Sequence, residues 1–257
     1  MRAAHLAHMT GVETMVQALC AAHAGAPLRV GPNGGPRNVM EAYRVQEGVL
    51  RQLSQGRRPT AWKVSPVRDG SDPLASPVPA QCVHASPARL ATGERIVLGV
   101  ECEIAFRFAS TPHAETANAQ DVLESVGEAI VLMELCESRL DDWAEASPLW
   151  RLADFQSHGA FVLGSGTTDW RAIDCARQEA QLLINGRPAV RSAGSHPTRD
   201  LPAMVAWAVR HCARRGMPLA AGDVVTTGSW TGLTAVRGGE HLRAFFPGLG
   251  DASLSLA

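Results

Sequence analysis

Val100-Glu101-Cys102-Glu103-Ile104-Ala105-Phe106-Arg107-Phe108 decides how this chain reads. Taken as a strand, its side chains alternate between two faces. One face carries Val100, Cys102, Ile104, Phe106 and Phe108, all apolar, and the other carries Glu101, Glu103, Ala105 and Arg107. The alternation predicts a strand over 95–108 with its apolar side in a core. It also puts two carboxylates on one face, roughly 7 Å apart at Cα from strand rise. Two side chains so placed can converge on one cation. Glu-x-Glu alone is read as readily as an exposed strand surface, because carboxylates are mostly solvated.

Glu128 to Cys136 reads as a strand buried on both faces, and Glu134 stands inside that apolar run. A buried, unpaired carboxylate is costly and calls for a cation or strong donors. Two partners are open: a structural salt bridge with Arg139, or a cation shared with Glu101 and Glu103. Three carboxylates favour a hard ion such as Mg²⁺ or Mn²⁺, whereas zinc more usually brings His or Cys.

Outward from these strands, further strands are expected at 159–164, 178–184, 223–228 and 240–246. Asn185-Gly186 is a tight-turn signal, and one helix, from Leu201 to Arg215, interrupts the strands, with Pro202 in its first turn and Gly216 past its end. Upstream, Val12, Met15, Val16, Leu19 and His23 recur at helical spacing over 11–24. A loop at 31–36, a helix from Asn38 to Leu53 and a strand from Ala61 to Val64 follow. Pro66, Gly70, Pro73, Pro77 and Pro79 mark 65–80 as a long loop, a length common in lids and binding loops. The sum is an α+β chain. Residues 1–79 form a helical N-terminal subdomain carrying Lys63, and residues 80–257 a strand-rich body.

Composition narrows the function classes. The 257 residues hold 24 Lys+Arg against 25 Asp+Glu, for a net charge of -1. No basic footprint for nucleic acid results. No segment approaches the roughly 18 apolar residues of a membrane span, and Glu13 and Gln17 interrupt any secretory apolar region near the start. Six cysteines without a C-x-x-C pair read as reduced thiols in a cytoplasmic protein. No G-x-S-x-G elbow or strand-linked G-x-G-x-x-G is present, which argues against the common hydrolase and dinucleotide-binding classes.

Lys63 is the only lysine beside 23 arginines. Where arginine replaces lysine freely, a lone survivor in apolar Ala-Trp-Lys-Val points to chemistry that arginine cannot do. Only lysine can give up its proton near neutral pH when desolvated. Other polar residues gather at element ends: Ser157-His158 before the strand at 159–164, Ser195-His196-Pro197 before the Leu201 helix, and Thr226-Thr227-Gly228-Ser229 closing a strand. Such a hydroxyl-rich end can hold a substrate carboxylate or form a plain turn.

In order, Trp62-Lys63-Val64, Val100 to Ala105, Met133-Glu134-Leu135, Glu137 to Trp143, Ser157 to Gly164, His196-Pro197 and Leu219 to Ser229 resemble the fumarylacetoacetate hydrolase superfamily, most closely its 2-keto-4-pentenoate hydratase and 4-oxalocrotonate decarboxylase branch. The likeness runs over about residues 38–250. It implies a mixed β-roll body with an α/β N-terminal subdomain. It further implies Mg²⁺ or Mn²⁺ on Glu101, Glu103 and Glu134, a lysine role at Lys63, a small 2-oxo acid substrate from aromatic-compound degradation, and assembly into homo-oligomers. Ser157, His158, Thr227 and Ser229 are the candidate substrate-binding residues. The activity expected is hydration of a 2-hydroxy-2,4-dienoate to a 4-hydroxy-2-oxo acid. The alternatives are 2-oxo-3-enedioate decarboxylation, acylpyruvate C–C hydrolysis, or a non-catalytic 2-oxo-acid-binding partner.

Overall fold

The computed structural model describes residues 11–31, 34–66, 72–92, 96–113, 119–198 and 200–257. The expectations for the chain start before Gly11, for Pro32 and Asn33 in the first loop, for Gly70 and its neighbours in 67–71, and for residue 95 lie outside the described residues.

Two helices come first. α1 (Val12–His23) buries Met15, Val16, Leu19 and Ala22, a stripe of helical period. α2 (Val39–Leu53) starts at Asn38, whose side chain accepts from the Glu41 backbone N–H. The Glu41 carboxylate accepts in turn from the Arg37 N–H, so donors that a helix start leaves open are satisfied from both sides. Gly48 lets the two helices meet, since a Cβ there would fall 2.5 Å from Val16 Cγ2.

The strands are β1 (Ala61–Ser65), β2 (Leu74–Val78), β3 (Val83–Ala85), β4 (Ala88–Leu90) and β5 (Ile96–Phe108), then β6 (Val126–Ser138), β7 (His158–Thr167), β8 (Glu179–Ile184), β9 (Arg187–Ala193), β10 (Val224–Ser229), β11 (His241–Phe246) and β12 (Gly250–Leu256). Between them lie α3 (Ala119–Glu124), α4 (Pro148–Ala153) and α5 (Leu201–Arg214). Seven strands form one sheet in the order β2-β1-β10-β5-β6-β7-β3, and five form a second, β4-β12-β11-β8-β9. The architecture is α+β, as the sequence predicts. β1 pairs parallel with β10, so Lys63, early in the chain, shares a sheet with strands formed far later.

Three expectations need correction. The segment 65–80 is not all loop, because Leu74–Val78 pairs antiparallel with β1. Its Pro77 is tolerated because β2 is the sheet edge, where a missing N–H costs no ladder bond. More than one helix interrupts the strands: α3 and α4 are six residues each, too short to show a period. β12 was also missed, although Ala252, Leu254 and Leu256 alternate and are buried.

The centre is the 13-residue pair β5 and β6. Cys102, Ile104, Phe106 and Phe108 enter the main core with Val131, Met133 and Leu135 of β6 and Val205 and Val209 of α5. Ala105, Ile130 and Leu132 lie in a separate cluster with Ala61 and Phe161. On the face of β5 read as polar, Ala105 and Glu103 are therefore also covered.

α5 begins at Asp200, whose side chain accepts from the Ala203 N–H. On it, His211 stacks on Trp207 at 4.5 Å between ring centres and lies 5.1 Å from the Tyr43 ring of α2. Burial, with Arg215 and Arg214 beside it, pulls the imidazole down from 6.5 to about 4. The unfolded chain then binds the proton more readily between those values, so stability falls as pH drops from 6.5 toward 4. Urea midpoints of wild type and His211→Gln should converge as pH is lowered through that window. Parallel curves would remove His211 from acid sensitivity.

Candidate active site

The sheet gathers residues that the chain scatters. β5–β6 register sets Glu101 directly opposite Glu134, and strand alternation puts Glu103 on the same face. Like charges facing across a ladder destabilise it unless something neutralises them. Glu103 and Glu134 have no exposed surface. Glu101 retains 20% of its side-chain exposure and forms the solvent edge of the cluster.

Lys63 is the neutralising group present. Its Nζ donates to Glu134 Oε1 at 2.8 Å and lies 3.9 Å from Glu101 Oε2. It also donates to the Gln156 carbonyl at 3.0 Å. That carbonyl sits in an unusual turn, in which Phe155, Gln156 and Ser157 all have positive φ, 52, 54 and 60. Three successive non-glycine residues in the left-handed region cost about 1–2 kcal/mol each. The turn is held open by its surroundings. Gln156 accepts from Ser65 and donates to Ser76, and Trp143 Nε1 donates to Ser157 Oγ at 2.7 Å. Arg139 donates to the Asp154 and His158 carbonyls on either side.

Arg139 does not pair with Glu134, the salt bridge left open from sequence. Its Nε lies 2.5 Å from Asp154 Oδ1. Glu134 meets His158 instead, with Nδ1 3.2 Å from Oε1. A carboxylate can only accept, so this nitrogen carries the proton, and buried Nε2 has no partner. Beyond His158 lies a cavity of about 420 Å³, bordered also by Glu137, Arg139 and Phe155.

β10 closes the cluster with a bulge. Thr226 pairs with Ala105, but Ser229 pairs with Glu103, with the register shift between them. Gly228, at φ 97, takes the left-handed step and donates its N–H to Glu103 Oε2 at 3.2 Å. A bulge of this kind re-aims the residues around it. Ser229 thus brings its buried hydroxyl to Glu101, where it favours the carboxylate's charge. The Thr227 hydroxyl is tied to the Ile104 carbonyl at 2.8 Å, and Thr226 is the threonine beside Glu103. Ser157 is engaged by Trp143 as above. Lys63, Glu101, Glu103, Glu134, His158 and Ser229 therefore come together, while the Ser157 and Thr227 hydroxyls bond to Trp143 and to the Ile104 carbonyl instead. His196 is a satisfied structural residue, its Nε2 2.8 Å from the Thr227 carbonyl.

The electrostatics follow from burial. Burial, then Glu134 and Glu101, holds Glu103 well above the ordinary carboxylate range. Burial also raises Glu101 against the pull of Lys63. Glu134 is the exception: burial opposes its charge, but Lys63 and His158 outweigh it and keep it low. Burial lowers Lys63, yet Glu134, Cys136, Glu101 and Glu103 reverse the sign and hold the ammonium above its usual range. The depressed lysine expected from desolvation is thus overturned by its own neighbours. Burial pulls His158 down, with Glu134 opposing.

The donor set fits a cation. Glu103 Oε1 and Glu134 Oε2 are buried without a partner, and such oxygens are costly unless something binds them. Glu101, Glu134 and Cys136 offer ligand atoms within 4.8 Å of one another. Cys136 was not singled out from sequence, although its position two residues after Glu134 on a strand is a sufficient signal.

A model of the fumarylacetoacetate hydrolase C-terminal region matches residues 60–255. Among curated proteins, the chain is 30% identical over 154 residues to a 2-hydroxyhexa-2,4-dienoate hydratase of Comamonas testosteroni. That match covers 60% of this chain and 58% of the relative, under two thirds of its length. It is 27% identical over 255 residues to a 2-keto-4-pentenoate hydratase of Paraburkholderia xenovorans, covering 93% and 91%. Among solved structures, 4-oxalocrotonate decarboxylase from Pseudomonas putida G7, complexed with magnesium and adipate, superposes with a TM-score of 0.78 at 18% identity, over 97% of this chain and 100% of that one. Among the described residues, no helix is long and apolar enough to cross a membrane.

Proposed function

The chain belongs to the fumarylacetoacetate hydrolase C-terminal family, and from that premise we propose that it hydrates a 2-hydroxy-2,4-dienoate of the 2-keto-4-pentenoate type to a 4-hydroxy-2-oxo acid. The observation that carries the reading is Lys63 Nζ, 2.8 Å from Glu134 inside a cluster of three glutamates, of which Glu103 and Glu134 are fully buried. Relatives named as hydratases support it. Glu101, Glu103 and Glu134 would hold Mg²⁺ or Mn²⁺, and Glu103 Oε1 and Glu134 Oε2 are the oxygens left open for it. When bound, the cation supplies Lewis-acid chemistry at the substrate's 2-oxygen and carboxylate.

The residues divide the remaining work. A cation on the three glutamates would cancel the field that holds the ammonium proton, leaving Lys63 to shuttle the proton of ketonisation: the enol hydroxyl loses one and the terminal carbon gains one, giving a conjugated 2-oxo-3-enoate. Water then adds its hydroxyl to C4 and a proton to C3. Glu134 and the Gln156 carbonyl aim the ammonium. His158 holds Glu134 from the other side. Ser229, beside Glu101, offers its hydroxyl to the substrate carboxylate, and Thr227 anchors the strand end that carries it. The six cysteines, none of them in a disulfide, support a cytoplasmic enzyme, which we take to act as a homo-oligomer.

Ultraviolet absorbance of freshly generated 2-hydroxypenta-2,4-dienoate, with and without Mg²⁺, tests the reaction. Metal-dependent loss of the diene signal and a product heavier by one water are expected. Loss of CO₂ from an enedioate without hydration of the dienoate would replace hydration with decarboxylation.

Glu134→Gln keeps the volume and removes the charge. It is expected to weaken Mg²⁺ and Mn²⁺ binding by at least about tenfold, read by calorimetric titration. An unchanged isotherm would remove Glu134 from the cation site.

A further inference from the structure

We propose that Cys136 is a sulfur donor to the cation held by this cluster, making it a mixed oxygen–sulfur site that prefers thiophilic divalent ions to Mg²⁺. The inference rests on the cation reading above and departs from the all-carboxylate set that reading uses. Cys136 lies two residues after Glu134 on β6, on the same face, and is 3% exposed. Its Sγ approaches Glu101 Oε2 at 3.6 Å. Its sulfur, one Glu101 oxygen and one Glu134 oxygen all lie within 4.8 Å of each other, so one ion can be reached from all three with small side-chain movements. The second observation is independent of the cysteine: Glu103 Oε1 and Glu134 Oε2 are buried and unpartnered.

The geometry sets the chemistry. Glu103 spends Oε2 on the Gly228 N–H, and its oxygens are not in the tightest donor group, whereas the Cys136 sulfur is. Thiolate sulfur is a soft donor that favours Co²⁺, Zn²⁺ and Cd²⁺ over Mg²⁺, which takes oxygen and keeps its waters. On coordination the thiol proton leaves to solvent and a metal–sulfur bond forms, with no change of oxidation state.

Cobalt reports the bond directly. Purified protein titrated with Co²⁺ is expected to develop the near-ultraviolet sulfur-to-cobalt charge-transfer band together with visible ligand-field bands. Cys136→Ser should lose the first and keep the second. By calorimetry the same variant should bind Cd²⁺ at least about tenfold more weakly, with Mg²⁺ affinity nearly unchanged. Ligand-field bands without charge transfer in the wild type would overturn the sulfur ligand and leave the carboxylate site standing. A charge-transfer band that survives in Cys136→Ser would assign it to another cysteine and equally overturn it. No cobalt binding at all would remove the cation reading itself, and the sulfur donor with it.

Discussion

Lys63→Arg is expected to lower turnover of the dienoate by about 10²–10⁴-fold, the range of a lost general acid–base group, while the protein stays folded. The substitution keeps the charge, so the carboxylates of Glu134 and Glu101 retain a counter-ion. It fails for two reasons. Guanidinium does not release its proton in a protein, so it can hold Glu134 but cannot shuttle. It is also a planar fork where the site is built for a point donor, since Lys63 is 7% exposed and already bonded to Glu134 Oε1 and the Gln156 carbonyl. Steady-state kinetics beside a thermal melt separates the effects. A variant with a wild-type melt and turnover within a few-fold of wild type would exclude Lys63 from proton transfer.

Asp154→Ala should be the most damaging change to stability. Asp154 is fully buried and accepts from both the Arg139 Nε and the Arg139 backbone N–H. Removing it leaves a guanidinium that is 7% exposed without its counter-charge. Stranding one member of a buried pair costs about 3–5 kcal/mol. For a chain of this length that lowers the melting temperature by about 10 °C or more. Asp154→Asn, which keeps the volume and one acceptor, should cost less. A melt within about 2 °C of wild type for the alanine variant would show that Arg139 reaches solvent easily, and would remove the pair from the stability of the fold. The loss also reaches the site. Arg139 donates to the carbonyls that flank the left-handed turn of Phe155, Gln156 and Ser157. That turn presents the Gln156 carbonyl to Lys63, so loosening it frees the ammonium from one of its two close partners.

Much of the body was legible because the signals are local. A period of two over Val100–Phe108 requires only that neighbouring side chains alternate, and the strand forms at Ile96–Phe108. Pro202 and Gly216 delimit α5 to within a residue of the expected helix. Elements of three to six residues, such as β3, β4, α3 and α4, are shorter than the window a period needs. β2 was hidden by its prolines, which mark a loop unless the strand is known to be an edge.

For the site, sequence alone determined the residue types and their faces: Glu101 and Glu103 on one side of a strand, a carboxylate at 134 inside an apolar run, and one lysine among arginines. Those statements need only alternation and composition. Only the tertiary structure decided who meets whom. Register sets Glu101 against Glu134, and the fold brings Lys63 to a carboxylate 71 residues away. Arg139 goes to Asp154 rather than to Glu134. The bulge at Gly228 leaves Ser229 toward Glu101 while the Thr227 hydroxyl turns to Ile104. It also reversed the sign expected at Lys63. Desolvation is a property of one residue's setting, whereas the opposing field is the sum over four neighbours brought in by non-local pairing. A pattern along the chain specifies which side a group faces, but its energy depends on the charges on the strands that come to lie beside it.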